Sequence, residues 1–160
     1  MKVLFTTFFL FFMCFTSMSL AAPILSVSDV LRYAQALDFH DPKLLVAIAT
    51  IESDLQPSVV SSGKGDHHYG LMQIGFRTAK GVGFRGKAQE LYNWKTNMKY
   101  ASKYLSVLLY EYNYHRASAV AAYNAGKVYI CKSKCPKGEY VNQDYVDKVL
   151  KKYAELQKNT

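Results

Sequence analysis

Cysteine is scarce in this 160-residue chain, occurring only at 14, 131 and 135. Cys14 sits inside an N-terminal apolar run, which leaves Cys131 and Cys135 for the folded part. Two thiols without a neighbouring histidine cannot complete a tetrahedral zinc site, and their spacing is not that of a CxxC redox pair. The adjacent His67 and His68 point apart in most conformations and lack a carboxylate set beside them, so no metal is expected. Long hydrophobic runs are equally few. The only one, near the N-terminus, is shorter than the ~20 residues of a membrane span, and no stable anchor is expected. No low-complexity linker, internal repeat or run of alternating apolar and polar residues is present, which points to one domain that is not built on strands.

Residues 1–21 have the form of a secretory leader. Lys2 gives a positive start, residues 3–15 are almost wholly apolar, and Ser19 and Ala21 supply small residues at −3 and −1. Cleavage there leaves a domain over 22–160, exported and expected in the periplasm. Six of the nine phenylalanines fall in the leader, whereas all thirteen tyrosines lie beyond it. Tyrosine joins an apolar face to a hydrogen-bonding tip and suits partly wet grooves. In an exported chain, Cys131 and Cys135 suggest one local disulfide. The formal charge is +8, but lysine and arginine are dispersed from Arg32 to Lys158 without a dense block. A nucleic-acid partner is therefore not indicated; acidic lipid and an acidic polymer such as a cell wall stay open, and a solvated basic surface is the default.

Helical periodicity covers most of the remainder. Ser28 and Asp29 suit the cap of a first helix, with Val30, Leu31, Ala34 and Leu37 as its apolar stripe. Asp41 followed by Pro42 starts a second, which carries the apolar run 44–51 and ends near Glu52. Pro57 and the segment 61–65 read as a loop, and 70–74 and 78–82 as short helices. Asn93 opens the longest periodic segment. Residues 116–125 form another helix stopped by Gly126, 128–140 are irregular or a small hairpin, and 142–157 form an amphipathic closing helix. The fold class is all-α or mainly α.

The segment 47–73 is the one that a purely structural chain would avoid. Its apolar run leads straight into a carboxylate, Glu52, followed by a polar glycine-bearing loop and a second apolar turn. A carboxyl group in a partly dry cleft has its charged form disfavoured and its pKa raised, as a general acid at neutral pH requires.

Three ordered motifs then point one way: Glu52-Ser53, Gly70-Leu71-Met72-Gln73 and Ala122-Tyr123-Asn124-Ala125-Gly126. With Asn97-Met98, Tyr104-Leu105 and Tyr145-Val146, they resemble soluble lytic transglycosylase domains, over about 42–153. The resemblance implies a lysozyme-like fold with a cleft and cleavage of the bond between N-acetylmuramic acid and N-acetylglucosamine in peptidoglycan. It implies no cofactor. Glu52 then matches the catalytic acid, with ring closure by the muramic C6 hydroxyl and no water consumed. Ser61 matches a cleft serine, or else steadies the loop. Gln73 is suited to reading an acetamido group, and the Tyr123 hydroxyl to orienting Glu52; Asn124 either touches sugar or caps the turn before Gly126. Asp66 is the nearest alternative acid, though it more naturally orders the loop, and His68 more naturally makes a loop or loop–cleft hydrogen bond.

The segment 62–69 is longer than the family's usual linker, and Gly75-Phe76-Arg77 replaces a proline-bearing turn. A hydrolytic muramidase of goose-lysozyme type and a weakly catalytic wall-binding accessory are the alternatives. A secretion or conjugation apparatus is the partner such small exported domains imply, and a monomer is the default.

Overall fold

The computed structural model describes residues 24–63, 65–132 and 139–158. Helix α1 (Val27–Gln35) is capped by Ser26, whose hydroxyl accepts from the Asp29 amide at 3.1 Å, two residues before the expected cap. Asp29 then stands in the first turn, where a carboxylate complements the helix dipole. Val30 and Ala34 are fully buried.

Helix α2 (Pro42–Ser53) starts on the expected proline and is the centre of the molecule. Every residue from Leu44 to Ala49 is fully buried, the state of a helix that is apolar all round. Helix α1 packs on one side of it and α6 (Gln143–Lys158) along another. Its N-terminus is pinned as well. Asp41 Oδ2 accepts from Arg116 Nε at 3.0 Å and from the Tyr153 hydroxyl at 2.9 Å, joining the starts of α2 and α5 (Arg116–Ala125) to the far end of α6. At its other end, Asp54 and Leu55 take positive φ of 50° and 58°, so the chain turns away immediately after Glu52 and Ser53.

Residues 60–75 differ from the expected loop and short helix. Strands β1 (Val60–Gly63), β2 (Asp66–Tyr69) and β3 (Ile74–Gly75) form an antiparallel sheet in the order β1-β2-β3. Ser61 and Gly63 stand opposite His68 and Asp66, and His68 stands opposite Gly75. Residues 70–73 are a turn between strands, and the helix that follows, α3 (Phe76–Gly81), starts earlier than its periodicity suggests. Asp66 accepts from the Arg77 amide at 3.0 Å through Oδ2 and from the His67 amide at 2.9 Å through Oδ1. It thereby satisfies a free N–H of the first turn of α3 from the neighbouring strand.

A 3₁₀ turn (Ala88–Tyr92) leads into the long helix α4 (Trp94–Glu111), where Asn93 caps the Lys95 and Thr96 amides as anticipated. Gly126, at φ 82°, ends α5. Near the cysteines, Ile130 bridges Tyr140 in antiparallel fashion. The expected Cys131–Cys135 disulfide lies outside the described residues at Cys135, as does the expected leader. Among the described residues, no helix is long and apolar enough to cross a membrane.

Candidate active site

Glu52 is the penultimate residue of α2, and the burial of that helix decides its environment. It stands half-buried at a cleft of about 500 Å³ between the sheet, α4 and the end of α5. Burial raises its pKa to about 7, an effect partly opposed by a hydrogen bond from Tyr145. The Tyr145 hydroxyl donates to Glu52 Oε1 at 2.5 Å. Tyr145 is itself held well above the usual phenol range, chiefly by burial and then by the neighbouring Glu52 charge, so it remains a donor. Among the described residues lining the cleft, Glu52 is the sole carboxylate. Asp54 is exposed beyond the end of α2, and Asp66 has both oxygens engaged with backbone amides.

The remaining motif residues converge on the turn at 70–73. Leu71 and Met72 are fully buried, yet the turn belongs to no helix or strand, so its backbone polar groups need partners from elsewhere. Ser53 donates to the Leu71 carbonyl at 2.7 Å, and Tyr123 to the Met72 carbonyl at 2.8 Å. Asn97, completely buried, accepts from the Met72 amide at 2.8 Å and donates to the carbonyls of Tyr69 and Leu91 at 2.6 and 2.9 Å. Gly70 has φ of +70°, and a Cβ there would lie 2.6 Å from the Leu91 carbonyl oxygen and 2.7 Å from Asn97 Nδ2. Only glycine fits.

These contacts revise two expected roles. Tyr123 does not orient Glu52 by a hydrogen bond; its hydroxyl goes to the buried turn, and Tyr145 takes the place beside the acid. Gln73 lines the cleft, but its amide nitrogen donates to the carbonyls of Val59 and Gly70, both at 2.9 Å, and its Oε1 accepts from Ser61 Oγ at 2.7 Å. Its donor end is therefore occupied within the protein. Ser61 is at the cleft, tied to Gln73. Asn124 also reaches the cleft, where Asn142 Nδ2 donates to its Oδ1 at 3.0 Å and the amide N–H groups of Asn124 have no partner among the described residues.

Sequence reasoning placed Tyr145 on the packing face of the last helix and missed its contact with the acid. Its place in a Tyr-Val pair shared with the resembled family was the available signal. Ser53 and Asn97 belong to the motifs, but the sequence gives them no role, because their bonds to the 69–72 backbone span 18 to 28 positions.

A helical domain with its acid at the end of a buried helix, facing a small sheet across a cleft, is a lysozyme-like architecture. A family model described as the transglycosylase SLT domain matches residues 29–145, and the chain belongs to that family. Its fold is similar to that of the 70 kDa soluble lytic transglycosylase of Escherichia coli, at 24% identity and a TM-score of 0.54 over 83% of this chain and 19% of that one. It is likewise similar to the lytic transglycosylase Slt of Pseudomonas aeruginosa, solved as an inactive glutamate-to-glutamine mutant. That likeness has 21% identity and a TM-score of 0.55 over 85% of this chain and 23% of that one. This chain thus spans about a fifth of the length of the solved proteins it resembles. No curated protein matches it significantly in sequence.

Proposed function

We propose that this chain is an exported peptidoglycan lytic transglycosylase that cleaves the β-1,4 bond between N-acetylmuramic acid and N-acetylglucosamine, with Glu52 as acid and then base. The observation that carries the reading is the half-buried Glu52, its pKa raised to about 7, as the sole carboxylate among the described residues of the cleft. Near neutral pH such a group is protonated often enough to donate and basic enough to take the proton back. Glu52 gives its proton to the glycosidic oxygen as the bond to the muramic C1 breaks. The C6 hydroxyl of the same sugar then attacks C1, and its proton returns to Glu52. One 1,6-anhydro end and one free hydroxyl result, and no water is consumed. Ordinary hydrolysis uses two flanking carboxylates, whereas ring closure has its nucleophile already held on the substrate.

Tyr145 holds Glu52 through Oε1, which leaves Oε2 for the substrate. The free amide N–H groups of Asn124 suit a sugar hydroxyl or acetamido oxygen. Activity in the periplasm, a Cys131–Cys135 disulfide, and service to a secretion or conjugation apparatus belong to the same proposal. The leader, the cysteine pair and the basic charge of +8 support it.

The test is mass spectrometry of fragments released from purified peptidoglycan, beside a Glu52→Gln control. Products about 18 Da lighter than hydrolytic ones, one water fewer, support the proposal. Reducing ends would instead identify a muramidase. Undiminished release by Glu52→Gln would remove Glu52 from the mechanism.

A further inference from the structure

His68 is unused by the chemistry above, yet the sheet is built around it. It stands on the central strand β2, opposite Ser61 of β1 and Gly75 of β3, and it lines the cleft. Side chains on one face of a sheet stand beside the same-face residues of neighbouring strands. Around His68 two of those positions, Gly63 and Gly75, are glycine. A Cβ at Gly63 would meet His68 Cε1 at 2.7 Å, and one at Gly75 would meet Asp66 Oδ2 at 2.9 Å, His68 Cδ2 at 3.1 Å and Thr78 Oγ1 at 3.3 Å. The imidazole therefore lies across the sheet in the space those side chains would fill. Neither ring nitrogen has a hydrogen-bond partner among the described residues, and the Thr78 hydroxyl beside it has none either. His67 is different: it belongs to the opposite face, where Ser62 Oγ lies 3.2 Å from its Nδ1.

We infer that His68 is a glycan-contacting residue of the sheet side of the cleft, using its open ring nitrogens to bind the hydroxyl or acetamido groups of an N-acetylated sugar. A neutral imidazole presents one donor and one acceptor, the pair that such a sugar matches. No lysine or arginine lines the cleft among the described residues, so this part of the site recognises neutral sugar rather than the carboxylates of a peptide. The inference rests on the proposed glycan substrate.

The test is a titration of the protein with the N-acetylglucosamine trimer, followed through the imidazole proton resonances. The chain has four histidines, and His68 is assigned by the signal that His68→Gln removes. The His68 signal is expected to shift with saturation while that of His67, on the opposite face, stays in place. A His68 signal that does not move, whether or not others do, overturns the inference. In turnover of peptidoglycan, His68→Ala should raise the apparent KM about tenfold with kcat changed less than about threefold, and His68→Gln should restore part of the loss. A KM unchanged in His68→Ala with an unaltered melting temperature also overturns it. Failure of the proposed function reads differently: peptidoglycan cleavage is then absent, or survives Glu52→Gln, while the His68 shift stands.

Discussion

Tyr145 and Glu52 lie 93 positions apart in the chain and 2.5 Å apart in the structure, phenol hydroxyl to carboxylate oxygen. The bond favours the charged form of Glu52 and so works against burial, which pushes the pKa up to about 7. Wild-type activity that needs a protonated Glu52 should accordingly fall as pH rises through about 7. Tyr145→Phe removes the opposing effect. The alkaline limb of its kcat/KM profile should move to higher pH, and the maximum should drop roughly tenfold as the carboxyl loses its fixed orientation. Profiles that superimpose apart from height would mean that Tyr145 does not act through the protonation of Glu52.

Tyr123→Phe should behave in the opposite way. Its hydroxyl satisfies the buried carbonyl of Met72, so its removal should lower stability by about 1–3 kcal/mol. Turnover per folded molecule should stay within a few-fold of wild type, with the alkaline limb in place. Urea denaturation and the pH–rate profile measure the two effects. A large kinetic loss with no loss of stability would return Tyr123 to the chemistry.

Asn97 makes the same argument at greater strength. Asn97→Ala strands one amide and two carbonyls around the 70–73 turn, all served by one side chain. The expected cost is about 3–5 kcal/mol, enough to threaten folding in a domain of this size. An unchanged urea midpoint would show that water or relaxation replaces all three bonds.

Much of the helical frame was legible because its signals are local. Pro42, Asn93 and Gly126 mark helix ends by the chemistry of their own backbone. The sheet was not legible, since its strands are two to four residues long and show no alternation of apolar and polar side chains. The 70–73 turn looked helical for a related reason: its apolar residues are buried by neighbours distant in sequence, and the hydrogen bonds of Leu71 and Met72 end on side chains. Glu52 stood out because an acid ending an apolar run is visible in one dimension. Tyr145 did not, because a tyrosine on the apolar face of an amphipathic helix reads as packing until its hydroxyl is located.

The raised pKa of Glu52 also has a consequence for stability. Its value of about 7 in the fold against the ordinary 4.5 of a free glutamate side chain means that the folded state holds its proton more tightly. Stability from this source is fully present below the lower value and is lost as pH rises through the higher one. After discount for partial solvent access, the loss by pH 8 should be about 1–2 kcal/mol. Glutamine has no charge to desolvate and still accepts from Tyr145. The melting temperature of Glu52→Gln relative to wild type should therefore rise from pH 5 to pH 8, by roughly 3–6 °C. Calorimetry at the two pH values measures it. A constant difference would show that Glu52 is no more strained as a carboxylate in the fold than in the unfolded chain, and the case for it as the acid would lose its electrostatic basis.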